Sequence, residues 1–397
     1  MKSFLKTIAI TAAIAVILTG CSKEPSAVGI KLLPAGEKFS AHETTYAAFA
    51  DTVFTGVALN GGGTNILVGN SATVECRALL RFDNTIPESL ATVQIDSARL
   101  DLTVNYSWNI PIPAPSATYD IEQVGTPWSS LTVTADSLSG LSISPTASIP
   151  ISVTSQDSFN VGNILSGQVD TSLMRKWISI SADTADTVTP RFFSIALVTH
   201  PGFTNVGIWG FTGFGTSTPP SLTLIYEKNG VKDSVILNSG EGTFFALAKG
   251  PPAAAYLDVQ GGLALRSKVR FSMKPVSDSV NKAIINNATM QLTLNRSASL
   301  LGVGSVDSVV AYFSGSETPP DSVIASYYAY GYRQDTTSNI YVFNVTTMAQ
   351  LWLNSPSNNF GVAVRSLGDN ASVDYHAFYT VKDTAHTPRI LVTYTKR

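Results

Sequence analysis

The feature that most constrains this chain is a pair of alternating segments that occurs twice. Ala78–Asp83 and Ser97–Asn105 alternate apolar and polar residues, a pattern typical of a strand with one face in a core and the other in water. Ser267–Phe271 repeats the first segment 189 residues later (271 − 82), and Asn287–Asn295 repeats the second 190 residues later (295 − 105). The sequence therefore predicts one β architecture used twice.

Composition supports a folded protein that does not bind nucleic acid. Of 397 residues, 44% are hydrophobic and 14% are charged, so a packed core is possible and disorder of the whole chain is not expected. The 20 prolines suit many short strands joined by turns. The net charge of −2, with no long basic run, predicts no nucleic-acid partner.

The cysteines and histidines indicate neither a disulfide framework nor a metal site. If Cys21 is used otherwise, Cys76 has no partner, and domains of about 170–180 residues must rely on hydrophobic burial. The four histidines are scattered, and their spacing matches no metal-ligand motif. We therefore expect no metal and no cofactor.

Residues 1–20 are predicted to be a secretory signal peptide. Two lysines precede the apolar run Ile8–Leu18, which is too short to span a bilayer of about 30 Å. The run ends in Leu18–Cys21, which resembles the lipobox of bacterial lipoproteins. The resemblance implies cleavage before Cys21, palmitate-type acylation and stable membrane anchoring. The alternative is an ordinary cleaved signal followed by a chance cysteine.

The residues after Cys21 are expected to form a tether over 21–43. Ser22 stands where an aspartate would favour the inner membrane, so by resemblance to Gram-negative lipoproteins we expect the outer membrane. Lys23-Glu24 resembles the short charged tags that send some lipoproteins to the cell surface. The expected location is therefore the cell outer membrane or the cell surface, reached through the lipid anchor.

The repeated motif order predicts two domains, 44–227 and 228–397. The polar turn Glu227–Gly230 lies directly after a strand and is the best boundary. The spacing between matching motifs falls from 189 to 167 residues along the chain, so the first copy carries about 22 more residues (189 − 167). Each copy is long enough to form its own core.

Five short motifs follow one another in the first copy: Asn60–Asn65, Leu79–Asp83, Ala98–Leu102, Pro127-Trp128 and Pro220–Tyr226. Their order resembles that of DNRLRE-type domains of bacterial and archaeal surface proteins, a family similar to carbohydrate-binding modules. The second copy closes with Thr387–Tyr394 but has Pro319-Pro320 where the family has Pro-Trp. The resemblance implies an all-β protein of two tandem jelly-roll-like β-sandwich domains, and the many short strands agree with this.

The sequence does not favour an enzyme. Glycoside hydrolysis requires two carboxylates that face one sugar, and Glu122 with Asp120 is one such pair. Glu241 with Asp258 is another. Acidic residues on alternating strands are more often solvated, and no Gly-x-Ser-x-Gly motif accompanies His200.

Sugar binding instead requires exposed aromatic rings. Trp108 and Trp128 are candidates, and so are Tyr328, Tyr330 and Tyr332, which alternate along one predicted strand. The tyrosines form either a binding strip or an inward face packed on another sheet. Three tryptophans in apolar periodic segments are predicted to be core residues: Trp177, Trp209 and Trp352.

The sequence thus favours a lipid-anchored, non-catalytic protein of the cell envelope that binds a surface or environmental glycan. The alternative is a structural or adhesive surface module without a small ligand, whose repeats only hold something away from the membrane. A concave face with exposed aromatic rings favours the first function, and a featureless convex surface favours the second.

Overall fold

The computed structural model describes residues 40–396, apart from 59, 83–85, 111–117, 150–160, 184, 186–190, 252–254, 275, 277–282, 305–306 and 336. The predicted signal peptide, the lipidation site Cys21 and tether residues 21–39 lie outside the described residues. So do Asp83 and most of the proline-rich segment after Trp108. Residues 40–43, predicted as the end of the tether, belong to the first strand.

The protein is all-β, as the sequence predicts. The strands are β1 (Ser40–Thr55), β2 (Asn65–Asn70), β3 (Val74–Arg81), β4 (Gln94–Trp108), β5 (Tyr119–Val124), β6 (Ile143–Ile149), β7 (Ile164–Val169), β8 (Ser194–Thr199), β9 (Gly207–Thr212), β10 (Ser221–Lys228), β11 (Val231–Asn238), β12 (Glu241–Ala248), β13 (Leu257–Gln260), β14 (Leu265–Phe271), β15 (Ala283–Thr293), β16 (Val309–Ser314), β17 (Val323–Arg333), β18 (Ile340–Asn344), β19 (Val362–Ser366), β20 (Tyr375–Phe378) and β21 (Arg389–Lys396). The helices are α1 (Thr171–Ala182) and α2 (Thr346–Asn354).

The two described α-helices lie at equivalent positions in the two sequence copies. The side chain of Asp170 caps α1 by accepting a hydrogen bond from the Ser172 amide at 2.8 Å. Helix α1 packs against β4, and α2 packs against β15, which is the matching strand of the second copy. Trp177 and Trp352 are the buried tryptophans of the two helices, which confirms their predicted core positions.

The strands form two antiparallel sheets. The first has the order β11-β10-β4-β9-β2-β3-β8-β5-β6, with β12 also on β3 and β7 also on β4. The second has the order β1-β21-β15-β18-β17-β16-β19-β14-β13-β20. Because β1 pairs with β14 as well as with β21, eight strands of the second sheet close into a ring. The first sheet stays open.

Each sheet includes strands that begin the other sequence copy. Strand β1 opens the first copy but pairs with β14 and β21 of the second. Strands β11 and β12 open the second copy but pair with β10 and β3 of the first. We therefore call β2–β12 the first unit, and β1 with β13–β21 the second unit. The predicted division into 44–227 and 228–397 does not coincide with this pairing.

The exchange is reciprocal residue by residue. Val231 lies opposite Lys228 in the first unit, and Ser40 lies opposite Lys396 in the second. The two exchanged residues are 191 positions apart (231 − 40). Because equivalent strands take equivalent partners, each copy completes the sheet of the other.

The same spacing holds at the other end of the exchanged segments. Glu241 lies opposite Arg81, and Ala50 lies opposite Arg270, again 191 positions apart (241 − 50). In the second unit the exchanged segment is one continuous strand. In the first unit Ser239 and Gly240 interrupt it, and their amides bond to the carbonyls of Pro220 and Arg81.

Each unit has its own core, and a third apolar cluster lies between them. Trp209 is fully buried in the first core, which confirms its predicted position. In the cluster between the units, Tyr106, Trp108 and Phe244 of the first unit pack with Val373 of the second. The units therefore bury apolar surface against each other, which stabilises their contact by roughly 25 cal/mol per Å².

Polar contacts fix the junction between the units. The hydroxyl of Tyr106 donates to Oδ1 of Asp374 at 3.0 Å, and Nδ2 of Asn65 donates to the carbonyl of Ala371 at 2.8 Å. Gly302 lies so close to the Tyr106 ring that a Cβ atom there would overlap it. The junction thus depends on specific atoms from both units.

The strand exchange predicts which fragment of the chain can fold. A fragment covering 56–250 contains every strand of the first sheet, whereas 44–227 lacks β11 and β12 and so loses the core residues Leu237 and Phe244. We expect cooperative thermal unfolding, followed by far-ultraviolet circular dichroism, for the first fragment and not for the second. A cooperative transition of 44–227 alone would contradict the exchange.

Candidate binding surfaces

The five predicted ligand-binding aromatics divide into two groups. Trp108 and Trp128 are buried, with 2% and 6% of their surface exposed. Tyr328, Tyr330 and Tyr332 are 50%, 54% and 61% exposed. Only the tyrosines present ring faces to solvent, so the expectation that either tryptophan forms an exposed stacking platform does not match its burial.

Trp128 holds a loop in place. Its Nε1 donates to Oγ of Ser194 at 2.8 Å, and its ring meets Phe192 edge-on, with 6.3 Å between ring centroids. The Arg81 guanidinium lies 5.8 Å from the centroid of the Trp128 ring. Arg81 also donates to the Trp128 carbonyl at 2.9 Å and pairs with Glu241. These contacts fasten the loop after β5 onto β3, β8 and β12.

The three tyrosines form a row on the outer face of β17, which we call the tyrosine row. Side chains alternate along a strand, and the intervening Ala329 is buried. Gly331 lies against the Phe343 ring, which leaves no space for a Cβ atom. The small residues of this strand therefore point inward and its tyrosines point outward. The alternative that the tyrosines form an inward face packed on another sheet is wrong.

The tyrosine row continues onto the neighbouring strand. The rings of Tyr328 and Tyr330 meet edge to face, with 5.3 Å between centroids. Tyr312 on β16 lies 6.0 Å from Tyr328, and the Arg365 guanidinium lies 5.2 Å from the centroid of the Tyr312 ring. Arg365 donates to Oδ1 of Asp321 at 2.7 Å. Aromatic surface therefore lies beside charged hydrogen-bonding groups.

A cavity of about 730 Å³ lies between the two units. Ala72, Trp108 and Ala248 line it from the first unit, and Leu263 and Leu300 line it from the second. Nε1 of Trp108 donates to the Leu300 carbonyl at 2.9 Å across the junction. Trp108, a predicted ligand-binding aromatic, is therefore a buried residue in the wall of this cavity.

Polar groups lie on the second-unit side of the cavity. Gln260 and Tyr375 line it and face each other across the β13–β20 pairing. The Tyr375 hydroxyl donates to Oδ1 of Asp258 at 2.6 Å. Burial raises the pKa of Asp258 to about 6, and the hydrogen bond from Tyr375 only partly opposes this shift. No described residue bonds the second carboxylate oxygen of Asp258.

The structure brings together one of the two carboxylate pairs named from the sequence. Asp120 and Glu122 lie two residues apart on β5, and Asp120 bonds Nδ1 of His200 at 2.8 Å. Burial and the charge of Asp120 raise the pKa of Glu122. Glu241 and Asp258 have separate partners: Glu241 pairs with Arg81 across β3 and β12, and Asp258 with Tyr375 in the second unit.

Sequence reasoning missed a second aromatic cleft. Tyr256 and Tyr379 have ring centroids 6.2 Å apart, and His386 stacks on Tyr379 at 4.4 Å. Asp51 and Lys382 also line this cleft, whose volume is about 660 Å³. The two tyrosines meet because β13 pairs with β20, a pairing between segments too far apart in the chain for local periodicity to reveal.

Within the described ranges, no group of three or more histidine, cysteine, aspartate or glutamate residues is arranged to hold a metal ion. No helix in the described part of the chain is both long and apolar enough to cross a membrane. Comparison with protein-family models and with curated protein sequences found no match.

The raised pKa of Asp258 predicts a pH dependence of stability. Below about pH 4 the carboxyl is neutral in both states. Between about pH 4 and pH 6 only the unfolded chain ionises, so the free energy of unfolding falls by about 3 kcal/mol as pH rises. Asp258→Asn should therefore reduce the loss of melting temperature between pH 4 and pH 6.

The matched control is Asp335→Asn. Hydrogen bonds from the Thr337 side chain and from nearby backbone amides lower the pKa of Asp335, so it titrates below this window. An unchanged slope in Asp258→Asn, measured by differential scanning fluorimetry, would contradict the assignment.

Proposed function

We propose that this protein is a non-catalytic glycan-binding protein of the bacterial cell envelope and that the tyrosine row is its binding surface. The observation that carries the proposal is three adjacent tyrosines, each at least half exposed, on one face of β17. Large aromatic side chains normally bury their surface, so a contiguous exposed row points to a binding role.

The chemistry of the tyrosine row fits a sugar. The apolar face of a pyranose ring packs on an aromatic ring, and each such contact contributes about 0.5–1.5 kcal/mol beyond the burial of area. The Arg365–Asp321 pair lies beside Tyr312 and offers donors and acceptors for sugar hydroxyls. One row of this kind gives weak binding, near the millimolar level at about −4 kcal/mol.

We interpret the two sheets as two copies of a jelly-roll-like β-sandwich of the DNRLRE type, altered by the strand exchange. Most equivalent strands keep their neighbours in both copies, with the exceptions that β17 pairs with β18 whereas β6 does not pair with β7, and that β4 pairs with β9 whereas β15 is not a sheet neighbour of β20. The loop after β5 with Pro127-Trp128 has its counterpart in the loop with Pro319-Pro320 after β16. This interpretation supports the proposed glycan binding, because DNRLRE-type domains are similar to carbohydrate-binding modules.

We further propose that a lipid on Cys21 holds the protein at the outer membrane or cell surface. The lipobox-like Leu18–Cys21 supports this proposal. The intervening tether residues would keep the tyrosine row away from the membrane. In the absence of any glycan ligand, the same arrangement would serve the alternative structural role.

Glycan binding is tested by an array screen with the chain lacking residues 1–20, followed by titration of any positive glycan. Tyr330→Ala should weaken binding about tenfold, because it removes the central ring of the row. Its melting temperature should stay within a few degrees of the unmodified protein, since Tyr330 is exposed.

The matched control is Phe214→Ala, which removes an equally exposed ring from the first unit. This variant should bind as the unmodified protein does. Equal weakening in both variants, or binding that survives replacement of all three tyrosines of the row, would refute the tyrosine row as the site. No binding to any glycan would favour the structural role.

Lipid anchoring is tested by Cys21→Ala in a Gram-negative host fed labelled palmitate. The variant should lose the label and either leave the membrane fraction or remain unprocessed, because the acylated side chain is missing. Ser22→Ala is the matched control and should retain the label. Palmitate incorporation by the Cys21→Ala protein would refute the anchor.

A further inference from the structure

We propose that the cavity between the two units is a second binding site, for a small neutral molecule that is mostly apolar and carries a hydrogen-bond donor. The cavity belongs to neither unit alone, because Trp108 and Ala248 of the first unit and Leu263, Leu300 and Tyr375 of the second line it. Ligand sites concentrate at such junctions.

The volume of the cavity selects a small molecule over a peptide. At about 730 Å³ it falls within the range of about 300–1,000 Å³ typical of small-molecule pockets. One turn of an α-helix with its side chains fills about 500 Å³, from its diameter and pitch. A docking helix of useful length would therefore not fit.

Small side chains keep the cavity open. Alanines line it from both units: Ala72 and Ala248 of the first unit, Ala298 of the second, and Ala58 of the connection between β1 and β2. The neighbouring junction is closed instead by large rings such as Phe244. Three hydrogen bonds between the units span the junction and oppose a shift of one unit that would close the cavity.

The lining chemistry excludes an ionic ligand. Among the described lining residues Asp136 is the one charged side chain, and it is exposed. An anion would find no cation in the cavity, and a buried cation would lose its hydration without a close partner. The aliphatic walls and the Trp108 ring instead favour an apolar body.

Gln260 and Tyr375 define the polar end of the ligand. Nε2 of Gln260 donates one hydrogen to the Val373 carbonyl at 3.1 Å, which leaves Oε1 to accept a hydrogen bond and the second N–H to donate one. The Tyr375 hydroxyl gives its proton to Asp258, so it is not free to donate to a ligand. Oε1 of Gln260 is therefore an acceptor for a ligand that carries a donor.

This site is independent of the proposed glycan surface. Tyr328, Tyr330 and Tyr332 lie on the outer face of β17, and none of them lines the cavity. Each site can therefore be tested without disturbing the other.

The test uses N-phenyl-1-naphthylamine, a neutral apolar fluorophore with one N–H donor, titrated into the chain lacking residues 1–20. We expect a saturable rise in fluorescence. Ala248→Phe and Ala298→Leu each fill part of the cavity and should weaken binding at least about tenfold. Gln260→Leu should weaken binding of this dye more than binding of 1-phenylnaphthalene, which lacks the donor, measured by competition.

The matched control is Ala385→Phe, an exposed alanine outside the cavity, which should bind the dye as the unmodified protein does. Melting temperatures of all variants identify any that fail to fold, and the conclusion rests on the folded ones. The proposal is overturned if the dye gives no saturable signal. It is also overturned if folded Ala248→Phe and Ala298→Leu variants both bind the dye with unchanged affinity.

Discussion

The pairing of β1 with both β14 and β21 is the interaction on which the second sheet depends. Without β1, the hydrogen-bonding groups of β14 and β21 that now face it would have no strand partner, and the ring of eight strands would open. Strands β11 and β12 have the equivalent place in the first unit. Each sheet is thus completed by a strand that begins the other sequence copy, and neither sequence copy contains a whole sheet.

The strand exchange also brings the two units together and thereby creates the cavity between them. The chain crosses between the units after β1 and again after β12, and the junction is sealed by Tyr106, Phe244 and Val373. The junction is closely packed where large side chains meet. Where alanines line it, a cavity remains. The tyrosine row, by contrast, depends on one strand of the second unit and on the small residues that alternate with its tyrosines.

Local periodicity predicted much of the fold, because the alternation of a strand can be recognised in adjacent residues. It predicted the all-β class, the duplication and the burial of Trp177, Trp209 and Trp352. The strand exchange was harder to predict from the sequence. Equivalent strands of the two copies have the same alternating pattern, so a strand could pair in the same register with either copy. One signal was available: Asn229-Gly230, with positive φ at both residues, is a strong hairpin sequence that joins β10 to β11 rather than separating two domains.

The candidate sites were predictable only in part, for a related reason. The spacing of Tyr328, Tyr330 and Tyr332 showed that they share a face, but not whether that face is covered. Burial of Trp128 depends on Ser194 and Phe192, and that of Trp108 on Leu300 of the other unit. The cavity is built by segments far apart in the chain, so no window of sequence contains it.

The closing role of β1 has a consequence for the time order of folding. The first unit has all its strands once residue 248 has emerged from the ribosome, although its chain begins after β1. Strand β14 becomes available at residue 271, but the second partner of β1 is β21, so the first described strand is among the last to gain both partners. Until β21 has been made, β1 has at least one edge without a partner strand, and unpaired strand edges are prone to aggregation.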